Sequence, residues 1–203
     1  MEKVKEVPYG VADFVTVMEQ NLYYVDKTMF IPELEKQPRN LFFIRPRRFG
    51  KSTFLSMLHS YYDCNQSAKF QSLFGNLWIG QHPTELQGKY QVLFLDFSQV
   101  SGNIDSLERN FDFYCSVKLD GFMRRYGEAY SEETREKVRK AEYAMDKLAF
   151  IHDEAAQKGF SLYLIVDEYD NFTNVVLNEH GEKVYHAITH ADGFHRNEKK
   201  KFK

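Results

Sequence analysis

The segment Phe42-Phe43-Ile44-Arg45-Pro46-Arg47-Arg48-Phe49-Gly50-Lys51-Ser52-Thr53 carries the most pointed chemistry in this chain. A short apolar run enters a loop, the loop closes on Gly-Lys-Ser, and the helical pattern Phe54-Leu55-Ser56-Met57-Leu58 follows. Strand, loop and helix in that order are the context a phosphate-binding loop requires. Gly50 lets backbone approach a phosphate closely, and the first amides of the following helix point at the anion with the helix dipole behind them. Lys51 would neutralise β and γ oxygens, and the Ser52 hydroxyl would ligate Mg²⁺. Arg48, Phe49, Gly50, Lys51, Ser52 and Thr53 are therefore the candidate nucleotide-binding residues. The general pattern G-x-x-x-x-G-K-[ST] asks for glycine at position 45, where this chain has Arg45, followed by Pro46, which has no N–H to donate.

A bare Gly-Lys-Ser occurs by chance, so weight falls on a second constellation far downstream, Leu162-Tyr163-Leu164-Ile165-Val166-Asp167-Glu168-Tyr169-Asp170. It is an apolar strand tipped by carboxylates. In P-loop ATPases such a strand delivers an aspartate to the Mg²⁺ shell, the role assigned to Asp167. The adjacent Glu168 can orient and deprotonate an attacking water, which makes it the candidate catalytic base. Acidic residues also end buried strands simply because the chain emerges into solvent. Found together, in this order and each at the end of an apolar run, the two segments point to nucleotide binding. Asp96 ends an apolar run in the same manner and is a supporting candidate at the same carboxyl edge of the sheet.

Positioning these groups requires buried strands and covering helices. Leu41–Ile44, Val92–Phe97 and Leu162–Val166 are continuous rather than alternating apolar runs, as in a sheet covered on both faces. The long segments between them give an α/β pattern. Asp105 as N-cap with Glu108 three residues on predicts a helix to Arg125 carrying Leu107, Phe111, Tyr114, Val117 and Phe122, stopped by Gly127. Ser131 opens a second, highly charged helix with Val138, Ala141, Met145, Leu148 and Ile151 on one stripe, running to about Gly159. Between Tyr61 and Gly88 the pattern is weaker, with Phe70, Leu73, Phe74, Leu77 and Trp78 suggesting a short helix. Tyr24 to Thr28 either packs against a nucleotide or caps a helix starting near Phe30.

The 203 residues suit one domain with an extension, read as an N-terminal segment 1–38 packing on a core at 39–203. Lys and Arg number 27 against 29 Asp and Glu, for a net charge of −2, which excludes a globally basic nucleic-acid coat. Arg47 and Arg48 are most simply solvated loop arginines, with nearby phosphate favouring a nucleotide role for at least one. Hydrophobic residues at 43%, with 18 Phe and 13 Tyr, suffice for an aromatic-rich core. No apolar run reaches the roughly 20 residues of a membrane span, and the N-terminus lacks a signal-type stretch, so a soluble, cytoplasmic protein is expected. Cys64 and Cys115 have no C-x-x-C partner and read as core thiols.

The motifs resemble those of the AAA-ATPase-like proteins of bacteria. Tyr9-Gly10 with Asp13-Phe14, Tyr23 to Thr28, Arg45 to Ser52, Leu95 to Ser98, Asp167 to Asp170 and Ile188 to Phe194 carry the resemblance over nearly the whole chain. Arg-Pro-Arg-Arg-Phe-Gly-Lys-Ser is the most specific of them, and in this family arginine replaces the usual first glycine. The resemblance implies a P-loop NTPase-like three-layer fold with a mostly parallel sheet, and ATP as the nucleotide. It also implies a longer protein, usually with a C-terminal nuclease-like domain of the PD-(D/E)xK type.

His186, His190 and His195 approach a ligand-like spacing, yet lack a cysteine pair or an H-E-x-x-H arrangement and read as surface or cap histidines. The segment Arg196–Lys203 reads as a short basic tail. Related ATPases insert a later strand between the two motif strands. Val175 to Leu177 is too short for it and Val184 to Ile188 sits in a helical context, so the expectation is an incomplete sheet, self-association through open edges, and hydrolysis only in a longer form. A non-hydrolysing nucleotide-binding interaction module and an inactive truncated fragment are the alternatives.

Overall fold

Two parallel strands, β1 (Tyr90–Asp96) and β2 (Ser161–Asp167), pair side by side in the computed structural model, which describes residues 4–38, 40–44, 49–101 and 104–169. Both arise from the apolar runs expected to form strands, and both end on the aspartate that closes the run. Parallel neighbours need a long crossover. Here α6 (Ile104–Tyr126), α7 (Glu132–Lys140) and α8 (Ala144–Lys158) supply it. The architecture is thus mixed α/β. The described residues fall into two compact units, one drawn from Met1–Phe94 with His152–Ile165 and the other from Leu95–Ile151 with Val166–Lys203.

In the first unit, α1 (Phe14–Glu19), α2 (Ile31–Glu35), α3 (Lys51–Tyr62), α4 (Phe70–Phe74) and α5 (Trp78–Gln81) gather around aromatic residues. Phe14, Tyr61 and Phe74 are fully buried, and Phe14 stacks on Phe74 with centroids 4.9 Å apart. Met57, Ile31, Ile79, Val92 and Ile165 complete this core. Burying each such side chain is worth about 1.5–3 kcal/mol, so the N-terminal segment shares the core rather than decorating it.

Asp26 ties that segment down. Its Oδ1 accepts from the Thr28 N–H (2.8 Å) and Thr28 hydroxyl (2.7 Å), its Oδ2 accepts from the Trp78 N–H (2.7 Å), and the buried Thr28 Oγ1 accepts from the Ile79 N–H (3.1 Å). These bonds start the 3₁₀ turn Thr28–Phe30 that leads into α2 and hold α5 against it. Asp26 thus closes a local turn on Thr28 just ahead of the 3₁₀ turn, whose own N-cap is Lys27. Replacing Asp26 by Ala removes three acceptor contacts and is expected to cost about 2–4 kcal/mol in urea unfolding. A loss below about 0.5 kcal/mol would show that water replaces them without penalty.

In the second unit, α6 runs from Ile104 to Tyr126, close to the expected span, with Leu107, Leu119 and Phe122 buried. Asp105 falls inside the helix rather than before it, and Val117 is exposed. The long second helix is two. Ser131 caps α7 as expected, accepting from the Thr134 N–H (3.2 Å), but the chain turns extended at Ala141 and restarts at Ala144. The Ala144 N–H donates to Asp112 Oδ1 (2.9 Å), a cap supplied from α6. After the restart Ala144 and Lys147 are buried and Met145 is exposed, while Val138 and Ile151 are buried as the stripe predicts. Lys147 is paired with Asp120 at 2.7 Å.

The expected strand Leu41–Ile44 is not one. These residues are irregular, with Phe42 at 80% and Ile44 at 82% exposure, while Phe43 stacks on Phe54 (5.0 Å). A four-residue apolar run has no period of its own, and a strand exists only through its ladder. Burial on both faces also fails for β2, where Leu164 is 57% exposed. Cys115 is buried and its thiol is pushed up to about 11 by burial and by Asp112, while the half-buried Cys64 is raised by burial and by Asp63. Val175–Leu177, Val184–Ile188, the three histidines, the Ile188–Phe194 motif and the basic tail lie outside the described residues. No described helix is long and apolar enough to cross a membrane.

Candidate functional site

Helix α3 starts on Gly50, whose backbone is left-handed (φ 72°, ψ 30°), a conformation glycine adopts without the steric cost of a Cβ. The Gly50 carbonyl accepts from the Phe54 N–H at 3.0 Å, so the turn passes directly into regular helix. The first amides of such a helix have no intrahelical acceptor and carry the positive end of its dipole. Lys51, Ser52 and Thr53 occupy that first turn and are half-buried, whereas Phe49 is exposed. Arg45 to Arg48 lie outside the described residues.

Two contacts fix α3 itself. Phe54 is buried under Phe43, and Ser56 bridges to the start of α1. Ser56 Oγ accepts from the Phe14 N–H (2.9 Å) and donates to Asp13 Oδ1 (3.1 Å). Asp13 also caps α1 by accepting from the Thr16 N–H at 2.8 Å. Burial pushes the Asp13 carboxyl upward, but the bonds from Thr16 and Ser56 outweigh it and hold it below the usual range. A lysine absent from the candidate set also reaches the turn. Lys27 Nζ donates to the Phe49 carbonyl at 3.5 Å and lies 3.3 Å from where a Cβ on Gly50 would stand.

In the second unit, Asp167 is the last residue of β2 and is 3% exposed. Its Oδ1 accepts from the Glu168 N–H at 2.9 Å. Glu168 follows with φ 52°, one of two described non-glycine residues at positive φ. That conformation costs a non-glycine residue about 1–2 kcal/mol. Asp96 ends β1 on the same carboxyl edge, because β1 and β2 are parallel neighbours. Its carboxylate is engaged locally, accepting from the Ser98 N–H (3.0 Å) and Gln99 Nε2 (3.3 Å), while its own N–H donates to the Tyr114 hydroxyl (2.7 Å). Asp96 therefore shapes the turn after β1. The Gly50–Thr53 turn belongs to the first unit and the Asp167–Glu168 tip to the second.

Ser52 and Asp167 offer hard oxygen donors, one hydroxyl and one buried carboxylate, of the kind Mg²⁺ takes. Among the described residues no cluster of three or more His, Cys, Asp and Glu could hold a metal. Mg²⁺ bound with a nucleotide needs none, since phosphates and water supply most of its ligands.

A family model described as Predicted AAA-ATPase matches residues 8–201. An uncharacterized protein in the vnfD 5′ region of Azotobacter chroococcum mcd 1 is 43% identical over 63 residues, a match covering 30% of this chain and 12% of that protein. No solved structure matches.

Proposed function

The chain belongs to the AAA-ATPase-like family, and from that membership we propose a Mg-ATP-binding domain with a P-loop three-layer fold, hydrolysis belonging to a longer form. Arg48, Phe49, Gly50, Lys51, Ser52 and Thr53 form its phosphate loop. The left-handed Gly50 heading the 12-residue helix α3, with Lys51 as first helical residue, is the observation that carries this reading. Amides at the helix start meet the phosphates, and the Lys51 ammonium adds a charge-assisted bond. Arg48 enters on sequence alone.

Ser52 and Asp167 hold Mg²⁺ in this proposal. When bound, the ion neutralises charge on the phosphate oxygens. Glu168 takes the proton of the attacking water. Its strained backbone supports a functional role, because glycine would adopt the same φ at no cost and the chain carries a carboxylate there instead. Two parallel strands ending in aspartates support the sheet edge at which such sites form.

Isothermal titration tests the metal assignment. Parent protein is expected to bind ATP more tightly with Mg²⁺ than with EDTA, and Asp167→Asn is expected to shrink that difference at least severalfold. Equal affinity of the parent with and without Mg²⁺ would contradict it.

A further inference from the structure

Lys27 stands outside every role assigned so far. It lies far upstream of the phosphate loop in sequence, yet its ammonium reaches the loop's last turn, donating to the Phe49 carbonyl at 3.5 Å. It also fills the space a Gly50 side chain would need, since a Cβ there would approach Nζ to 3.3 Å. Glycine at position 50 thus serves two ends, the left-handed backbone and the approach of this cation.

The base of Lys27 is rigid. Asp26 before it accepts from the Thr28 and Trp78 amides, and Thr28 after it is fully buried. Both Asp26 oxygens are engaged by those bonds, and among the described residues the Lys27 ammonium meets no carboxylate within ion-pair distance. A half-buried cation aimed from a fixed base at the turn, and satisfied there by one long bond to a neutral carbonyl, gains from exchanging that acceptor for an anion. Charge-assisted bonds are about twice as strong as neutral ones.

We infer that Lys27 is a second phosphate-binding cation of the nucleotide site, its ammonium moving from the Phe49 carbonyl to the phosphate chain of ATP. The inference rests on the phosphate-loop reading and extends it to the N-terminal segment. The contact is made to the polyphosphate, so ATP and inorganic tripolyphosphate both engage it, whereas adenosine does not.

Binding of ATP and of tripolyphosphate to the full chain tests this, with Lys27→Gln, Lys27→Arg and Lys51→Ala beside the parent. Gln can still donate to the Phe49 carbonyl but has no charge; Arg keeps the charge. Lys27→Gln is expected to weaken both ligands at least tenfold and to make binding less sensitive to salt. Lys27→Arg is expected to recover most of the affinity. If Lys27→Gln binds as the parent does while Lys51→Ala has lost binding, the inference is overturned and the phosphate-loop reading stands. If Lys27→Arg binds as poorly as Lys27→Gln, the lysine braces the fold and does not hold phosphate. Parental binding by Lys51→Ala overturns the phosphate-loop reading itself and the inference with it.

Discussion

In a form of the protein that turns ATP over, Glu168→Gln is expected to lower the hydrolysis rate by about 10²–10⁴-fold while ATP binding stays near the parental value. The amide matches the carboxylate in shape and can still hydrogen-bond a water, but it cannot accept the proton that the water must lose. Glu168 follows the buried Asp167 directly, and its N–H donates to the Asp167 carboxylate at 2.9 Å. That bond links the position of the proposed base to that of the proposed metal ligand. Asp167→Asn should therefore disturb both Mg²⁺ dependence and turnover, whereas Glu168→Gln touches turnover alone. Phosphate release under Mg-ATP separates the two, and a parental rate in Glu168→Gln would remove Glu168 from the base role.

Much of the fold was legible where a local signal controls the outcome. The apolar runs ending at Asp96 and Asp167 became β1 and β2, because a run of five or six largely apolar residues closed by a carboxylate marks both the strand and its end at the sheet edge. Ser131 capped its helix because an N-cap hydroxyl acts over three residues. Misreadings arose where the deciding contact is distant in sequence. The break after α7 is stabilised by Asp112 on α6, which caps the Ala144 N–H, and no local pattern marks it. Ala141 and Met145 fit the stripe of an unbroken helix, so reading one helix instead of two followed from missing that cap.

Leu41–Ile44 was misjudged for a related reason. Its run resembles those of β1 and β2, yet Phe43 stacks on Phe54 while Phe42 and Ile44 are largely exposed. Composition cannot tell a strand from an apolar loop stem when the run is four residues long. At the candidate site, the helix start after Gly50 was legible from residue types, since a glycine ahead of a helical pattern is a local signal and its left-handed backbone a local property. The approach of Lys27 was not, because its contact with Phe49 crosses 22 residues and depends on the Asp26 clamp. The tyrosine-to-threonine motif around it was visible without its job being visible.

Binding of a fluorescent ATP analogue to the parent and to Lys51→Ala measures the central claim most directly. Lys51 is the first residue of α3, immediately after the left-handed Gly50, and is half-buried beside the helix amides. Removing its ammonium deletes a charge-assisted contact worth about 1.5–3 kcal/mol, so the dissociation constant is expected to rise at least about tenfold with the fold retained. Equal dissociation constants for the two proteins, with both folded by circular dichroism, would contradict the assignment of Gly50 to Thr53 as a phosphate-binding turn.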